Sequence, residues 1–313
     1  MSLIEKTLDG KVNKVQQAID RIKLSSVSDE PLYVCYSGGK DSKVLRRLME
    51  MAEVEHELHY GLTTVDHPSV VQEIFRDDNV VVDKSLDKDG KQITMWRLIV
   101  EKGMPPTQVC RYCCADLKEN HGMGRLCVTG VRKAESVKRK LNGGEVKILN
   151  GSAVKKFANK IMSNIEYEDT PKGGIVMNLD NDENRRMIEL CYRKHKTLIN
   201  PIIDWEDEDI WEFSRAENVE QSPLYVENGG EYKRLGCIGC PMASIAEREK
   251  EFADYPKIKE QYIKTFDKMV KNSIEKGKNI GWGDGEEVFD WWLYRKGGYN
   301  VKQREQEIEN DFM

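Results

Sequence analysis

No uninterrupted apolar run in the chain approaches the roughly 20 residues that span a bilayer, and the opening Met1-Ser2-Leu3-Ile4-Glu5-Lys6 lacks a secretory pattern. Internal repeats and low-complexity tracts are also missing, which excludes solenoids and compositional linkers. An excess of one charge sign is scarce: 54 acidic against 49 basic side chains leave −5 over 313 residues. That balance argues against a protein that coats nucleic acid over its whole surface, though not against a local basic patch. With 39% hydrophobic and 33% charged residues, the chain is too apolar for a disordered polyelectrolyte. The expectation is a globular cytoplasmic protein without membrane association, built as one large domain or as a domain with a smaller one appended.

Cysteine is the residue the chain does have, eight in all. A long chain in a reducing compartment needs no disulfide staples, and these thiols are clustered: Cys110, Cys113 and Cys114 in one group, Cys237 and Cys240 in another. Two distant pairs, each giving two ligands from one short turn, suit a four-thiolate metal site. Spacing leaves zinc, an iron–sulfur cluster and a redox dithiol open, and does not separate the first two. Buried packing is the plainer role for cysteines, and Cys35, Cys127 and Cys191 fit it best.

Periodicity places an amphipathic helix over residues 4–24, then a buried strand at Leu32-Tyr33-Val34-Cys35-Tyr36 and a helix through Val44, Leu45, Leu48 and Met51. Further strands are expected at His59-Tyr60-Gly61-Leu62-Thr63, Val80-Val81-Val82 and Arg125-Leu126-Cys127-Val128-Thr129-Gly130, with a proline-started helix over 68–75. Residues 184–196 read as a helix, 200–205 as an extended piece, and 206–216, 245–252, 257–274 and 286–294 as helices. Alternating strands and helices imply an α/β fold, an open parallel sheet with helices on both faces and a helical C-terminal portion. The expected division is an N-terminal helix (1–29), a nucleotide-binding domain (30–221) with an insertion near 140–183, and a helical region (222–313) carrying the second cysteine pair.

Between the first strand and its helix lies Ser37-Gly38-Gly39-Lys40-Asp41-Ser42. Backbone N–H groups and the positive helix end converge there, the glycines allow close approach, and Ser37, Ser42 and Lys40 add donors and charge for a polyphosphate. The Walker A spacing is absent. The hexapeptide resembles the loop of the PP-loop ATP pyrophosphatases, within the adenine nucleotide alpha hydrolase-like superfamily. Thr63-Thr64-Val65-Asp66-His67-Pro68, the stretch from Thr129-Gly130-Val131-Arg132 to Ser136, Asn200-Pro201-Ile202-Ile203-Asp204-Trp205 and the 285–292 segment are similar to elements of the phosphoadenosine phosphosulfate (PAPS) reductase family.

This resemblance implies a Rossmann-like PP-loop domain that binds an adenine nucleotide. Ser37, Gly38, Gly39, Lys40, Asp41 and Ser42 would hold the phosphates of ATP, with Asp41 a partner of Mg²⁺, Asp66 near the nucleotide, and Lys40, Asp41 and Arg132 catalytic. Taken singly, Asp66 also reads as a helix cap and Arg132 as a surface charge. The paired cysteines resemble the [4Fe-4S] pattern of assimilatory adenylylsulfate reductases and of the iron–sulfur member of bacterial DNA phosphorothioation systems. Cys113, Cys114, Cys237 and Cys240 would be the ligands, Cys110 an alternative ligand or sulfur carrier, and zinc the alternative metal.

Reductases of this family carry a nucleophilic cysteine near the C-terminus, whereas this chain has none after Cys240. They also have an altered glycine loop, which here keeps Lys40 and Asp41. Both departures favour ATP-dependent adenylation of an acceptor, a DNA or RNA among the candidates, coupled to iron–sulfur-assisted sulfur transfer. A PAPS or adenylylsulfate reductase and a non-catalytic nucleotide-binding subunit are the alternatives. The implied partners are a sulfur-donor protein such as a cysteine desulfurase and a second copy in a homodimer. Basic clusters at Arg132-Lys133, Lys138-Arg139-Lys140 and Lys155-Lys156 offer contacts to a polynucleotide, or are simply solvated.

Overall fold

A computed structural model describes residues 3–7, 10–26, 30–135, 167–169, 175–177, 188–191, 196–278 and 280–294. The clusters Lys138-Arg139-Lys140 and Lys155-Lys156 lie outside these residues, as does most of the expected insertion near 140–183. Within that insertion the short strands β7 (Tyr167–Asp169) and β8 (Ile175–Met177) pair antiparallel.

The chain opens on an antiparallel hairpin, β1 (Ile4–Thr7) with β2 (Gly10–Asn13), and only then forms α1 (Lys14–Ser25). This corrects the helix expected over 4–24, of which Ile4–Thr7 and Gly10–Asn13 form the hairpin and residues 14–24 lie in α1. The Asn13 side chain accepts the N–H groups of Val15 and Gln16, which sets the helix start there. Ile4 pairs with Asn13 and Thr7 with Gly10, so the preceding backbone finds its partners in the hairpin.

The central sheet runs β5 (Val80–Asp83), β4 (His56–Gly61), β3 (Leu32–Cys35), β6 (Leu126–Val128), β10 (Lys196–Ile199), β9 (Ile188–Cys191). β4, β3, β6 and β10 are parallel neighbours, and β9 joins β10 antiparallel at the edge. The α/β fold with a parallel sheet is therefore as expected, and the antiparallel edge strand is an addition to it. The helix expected over 184–196 is instead occupied by β9 and the start of β10, so Cys191 lies in a strand. β10 pairs with β6 on one side and with β9 on the other, and such long-range pairing outweighs a local helical pattern. Residues 200–205 turn rather than extend: Ile203 N–H donates to Asn200 O and Trp205 N–H to Ile202 O.

Leu32, Tyr33 and Val34 of β3 are buried and Cys35 at its end is partly so. α2 (Lys40–Ala52) packs against α1 and against α6 (Asp207–Ala216). The remaining helices are α3 (Pro68–Ile74), α4 (Met95–Lys102), α5 (Tyr112–Leu117), α7 (Ile245–Asp254), α8 (Pro256–Glu275) and α9 (Gly285–Tyr294). Among the described residues no helix is long and apolar enough to cross a membrane.

The chain forms two compact units that interleave in sequence: residues 1–60, 72–83 and 121–234 in one, residues 61–71, 84–120 and 235–313 in the other. The first holds the sheet and the glycine loop. The second has its own core, in which Leu98, Ile99, Tyr112, Phe252, Tyr262, Phe266, Val288 and Trp292 are buried together. Its aromatic side chains meet edge-on or tilted, as Tyr262 with Trp292 at 4.8 Å and Phe252 with Phe289 at 5.1 Å. Trp205, Trp211, Trp282, Trp291 and Trp292 are all buried, so these five tryptophans are packing residues.

Candidate functional site

In the sheet-bearing unit, β3 ends at Cys35 and α2 begins at Lys40, so Ser37, Gly38 and Gly39 make the connection. Gly38 has φ +70°, a left-handed conformation that a side chain disfavours, and it turns the chain sharply into the helix. Ser42 Oγ donates to Gly39 O at 2.9 Å and lies 3.2 Å from Ser37 Oγ, which ties the two ends of the loop together.

Arg132 follows β6 and is 2% exposed, so it is no surface charge. Its Nε donates to Asp41 Oδ1 at 2.6 Å, one terminal nitrogen to Asp207 Oδ1 at 2.8 Å, and the other to Trp205 O at 3.3 Å. Lys40 Nζ also reaches Asp207 Oδ1, at 3.0 Å, and Asp41 Oδ2, at 3.3 Å. Two cations and two carboxylates thus alternate around the start of α2. Burial alone would raise the Asp207 pKa, but the hydrogen bonds and charges of Lys40 and Arg132 leave it below the ordinary value. Burial likewise opposes the Arg132 charge, yet Asp41 and Asp207 hold its pKa above the usual value. All six loop residues and Arg132 are therefore gathered in one unit, with Asp207 added at the first position of α6.

The cysteines belong to the other unit. α5 carries Cys113 and Cys114, while the Cys237–Cys240 turn docks by backbone pairing on 65–67: Ile238 N–H donates to Val65 O at 2.7 Å and His67 N–H to Gly236 O at 2.9 Å. Gly239 at the centre of that turn has φ +72°, and a Cβ there would lie 2.5 Å from Phe252 Cζ. Its N–H donates to the buried Glu251 carboxylate at 2.7 Å, and Tyr262 Oη donates to Ile238 O at 3.0 Å. Helices α7 and α8 thereby fix the turn.

Cys113 lies within electrostatic reach of Cys114, Cys237 and Cys240, so all four expected thiols come together. Cys113 and Cys114 share a hydrogen bond that holds Cys114 down to about 6 and pushes Cys113 up, a pair keeping one proton between two sulfurs. Burial pushes Cys237 up to about 11. Cys237 Sγ contacts Thr63 Oγ1 at 3.4 Å and Asp66 Oδ1 at 3.5 Å. Cys237, once it ionises, and Asp66 raise the pKa of Lys118, four residues past Cys114. Asp66 is consequently placed in the cysteine unit, where it also accepts the Thr63 N–H at 2.8 Å. Cys110 is buried in this unit's core, its backbone locked to Thr107 by two hydrogen bonds of 3.0 Å.

Among the described residues no group of three or more His, Cys, Asp or Glu side chains is placed so that it could hold a metal ion. The thiols of Cys113, Cys114, Cys237 and Cys240 are donors of the type that zinc and an iron–sulfur cluster both take.

Sequence reading did not single out Asp207, Lys118 or Thr63. Lys118 carried a signal in its spacing of four from Cys114, one helical turn. Asp207 had none, since an acidic residue in the first turn of a helix is ordinary.

A glycine loop between a parallel strand and its helix, with lysine and arginine flanking the helix start, defines an α/β protein of the PP-loop kind. A family model of the phosphoadenosine phosphosulfate reductase domain matches residues 31–243, and the chain belongs to that family, a member of the PP-loop ATP pyrophosphatase superfamily. It is a nucleotide-utilising family. Among curated proteins the chain is similar to the uncharacterized protein MJ0973 of Methanocaldococcus jannaschii, 25% identical over 281 residues. That match covers 88% of this chain and 54% of the relative, so the chain spans about half the length of the protein it matches.

Proposed function

We propose that the protein is an ATP-dependent enzyme that adenylates an acceptor, a nucleic acid being the class tested first, and replaces the adenylate with sulfur. In the first step an acceptor oxygen attacks the α phosphorus of ATP, the bond to the bridging oxygen breaks, and pyrophosphate leaves with the electron pair. In the second, the terminal sulfur of a persulfide on a donor protein of the cysteine desulfurase kind attacks the activated carbon and AMP leaves with the oxygen; a second thiol of the donor then cleaves the acceptor–donor disulfide, leaving sulfur on the acceptor and a disulfide on the donor. The observation that carries this reading is the ring of Lys40, Arg132, Asp41 and Asp207 around the start of α2.

Lys40, the loop N–H groups and Arg132 stabilise the charge that grows on departing pyrophosphate. Asp41 and Asp207 are the carboxylates suited to Mg²⁺, which neutralises phosphate charge when bound. Cys113, Cys114, Cys237 and Cys240 would hold a [4Fe-4S] cluster, whose chemistry is the binding or delivery of sulfur. The close approach of Lys118 and Asp66 to Cys237 supports a site tuned for charge rather than for packing. The retained Lys40 and Asp41 favour pyrophosphate release over reduction of an activated sulfate.

The test is pyrophosphate release from ATP by anaerobically purified protein, with cellular RNA and DNA as acceptors. The expected result is nucleic-acid-stimulated release that Lys40→Ala lowers about a hundredfold. No release with any acceptor, or thioredoxin-dependent sulfite from PAPS, overturns adenylation, the latter in favour of a reductase. Iron and sulfide analysis tests the metal: iron and acid-labile sulfide in equal amounts are expected, and a colourless protein with one zinc overturns the cluster.

A further inference from the structure

The glycine loop is met by a strap, residues 220–232, from the far end of the same unit's sequence. Tyr225 Oη accepts the Lys40 N–H at 3.1 Å, at the first position of α2. Gln221 Nε2 donates to Lys40 O at 3.1 Å and to Ser214 Oγ at 3.0 Å, and Lys43 Nζ donates to Glu220 O at 3.2 Å. The strap therefore grips Lys40 by both of its backbone groups. Its own shape is closed by Gly230 N–H to Tyr225 O and Tyr232 N–H to Leu224 O, each 2.9 Å, which holds the phenol in place. The ring of Tyr225 packs edge-on against Trp211, 5.6 Å between centroids.

A phenol both accepts and donates. Tyr225 uses its oxygen as acceptor for Lys40, and among the described residues its proton meets no acceptor, although the side chain is only 2% exposed. A buried donor left open is costly unless something supplies the missing acceptor. Burial pushes the Tyr225 pKa up to about 12, so the proton stays on near neutrality. The donor sits at the positive end of α2, beside Lys40, where an anion belongs.

We propose that Tyr225 is a polyphosphate-binding residue of the glycine loop, its O–H donating to a phosphate oxygen of the bound substrate. The loop then selects molecules bearing a pyrophosphate group over nucleoside monophosphates. This rests on the reading that the glycine loop binds ATP.

Calorimetric titration of the full chain with ATP, inorganic pyrophosphate and AMP tests it. Tyr225→Phe keeps the ring against Trp211 and removes only the hydroxyl. The expected result is about tenfold weaker binding of ATP and of pyrophosphate, the loss of one hydrogen bond to a charged group, with AMP affinity unchanged. A phenol that merely caps α2 would, once removed, free the Lys40 N–H for phosphate, so pyrophosphate binding equal to or tighter than wild type overturns the proposal. Equal weakening of all three ligands overturns it too, as general damage. If the wild-type protein binds neither ATP nor pyrophosphate, the glycine-loop reading itself fails and this proposal with it.

Discussion

Arg132 shows how one buried side chain organises a site: its guanidinium addresses Asp41, Asp207 and the Trp205 carbonyl at once. Lysine keeps the charge and loses the fork. Arg132→Lys is expected to weaken ATP binding about tenfold or more, read by the same calorimetric titration. Gly239 is a second case, held by both its backbone angle and its neighbours. Gly239→Ala must displace Phe252 and Trp292, whereas Gly229, at φ +86°, has open space around a Cβ. Gly239→Ala is therefore expected to lower the urea midpoint clearly more than Gly229→Ala, overpacking adding about 1–3 kcal/mol to the backbone strain both share.

A third residue sets a pH dependence. His59 contacts Asp83 through Nδ1 at 3.1 Å and Glu57 through Nε2 at 3.2 Å, stacked on Tyr33, while Arg125 pairs with Glu57 on the other side. Burial disfavours its charge, but the two carboxylates more than offset this and raise its pKa above the ordinary 6.5. A raised folded-state value means the protonated form stabilises the fold. That contribution is complete below the unfolded value and is lost as pH rises through the folded one. Melting temperature should thus fall on moving from pH 6 to pH 9, and His59→Gln should flatten the slope. A profile equally steep in the variant would refute the assignment.

At the scale of elements, α1 works as a clamp. Lys14 pairs with Asp209 at 2.7 Å, and Arg21 donates to Asp204 at 2.9 Å and to Pro201 O at 2.8 Å, so one helix holds the 201–204 turns and the first turn of α6. That is the segment from which Trp205 O and Asp207 reach Arg132. Arg21→Ala removes a buried guanidinium that Asp204 and the Pro201 carbonyl share and is expected to cost about 3 kcal/mol, seen as a lower denaturation midpoint. Double replacement of Arg21 and Asp204 by apolar residues should recover part of it. β3, the glycine loop and α2 were legible in the sequence because strand, loop and helix signals are local and consecutive. β9 and β10 were not, since their strand character comes from pairing with each other and with β6. The N-terminal hairpin was missed for a related reason: Ile4, Leu8 and Val12 repeat every four residues, a spacing that suits a helix until Asn13 is recognised as its cap. The four thiols were legible as pairs, but nothing local joined Asp66 or Thr63 to them.

For the whole molecule, the feature with the widest reach is the interleaving of the two units. The cysteine unit draws Asp66 from 61–71, Cys113, Cys114 and Lys118 from 84–120, and Cys237 and Cys240 from the stretch after 235. A fragment limited to 222–313 keeps two of the four thiols and loses Leu98, Ile99 and Tyr112 from the core they share with α8 and α9. Expressed alone it should show neither a cooperative melt nor iron uptake, measured by circular dichroism and iron analysis. There is also a consequence for biosynthesis. During translation Cys113 and Cys114 leave the ribosome long before their partners, because β6, β10, α6 and the Tyr225 strap are all made in between. If the four thiols hold a metal, their set is complete only once Cys240 has been made, by which point every residue of the glycine-loop site has already been synthesised.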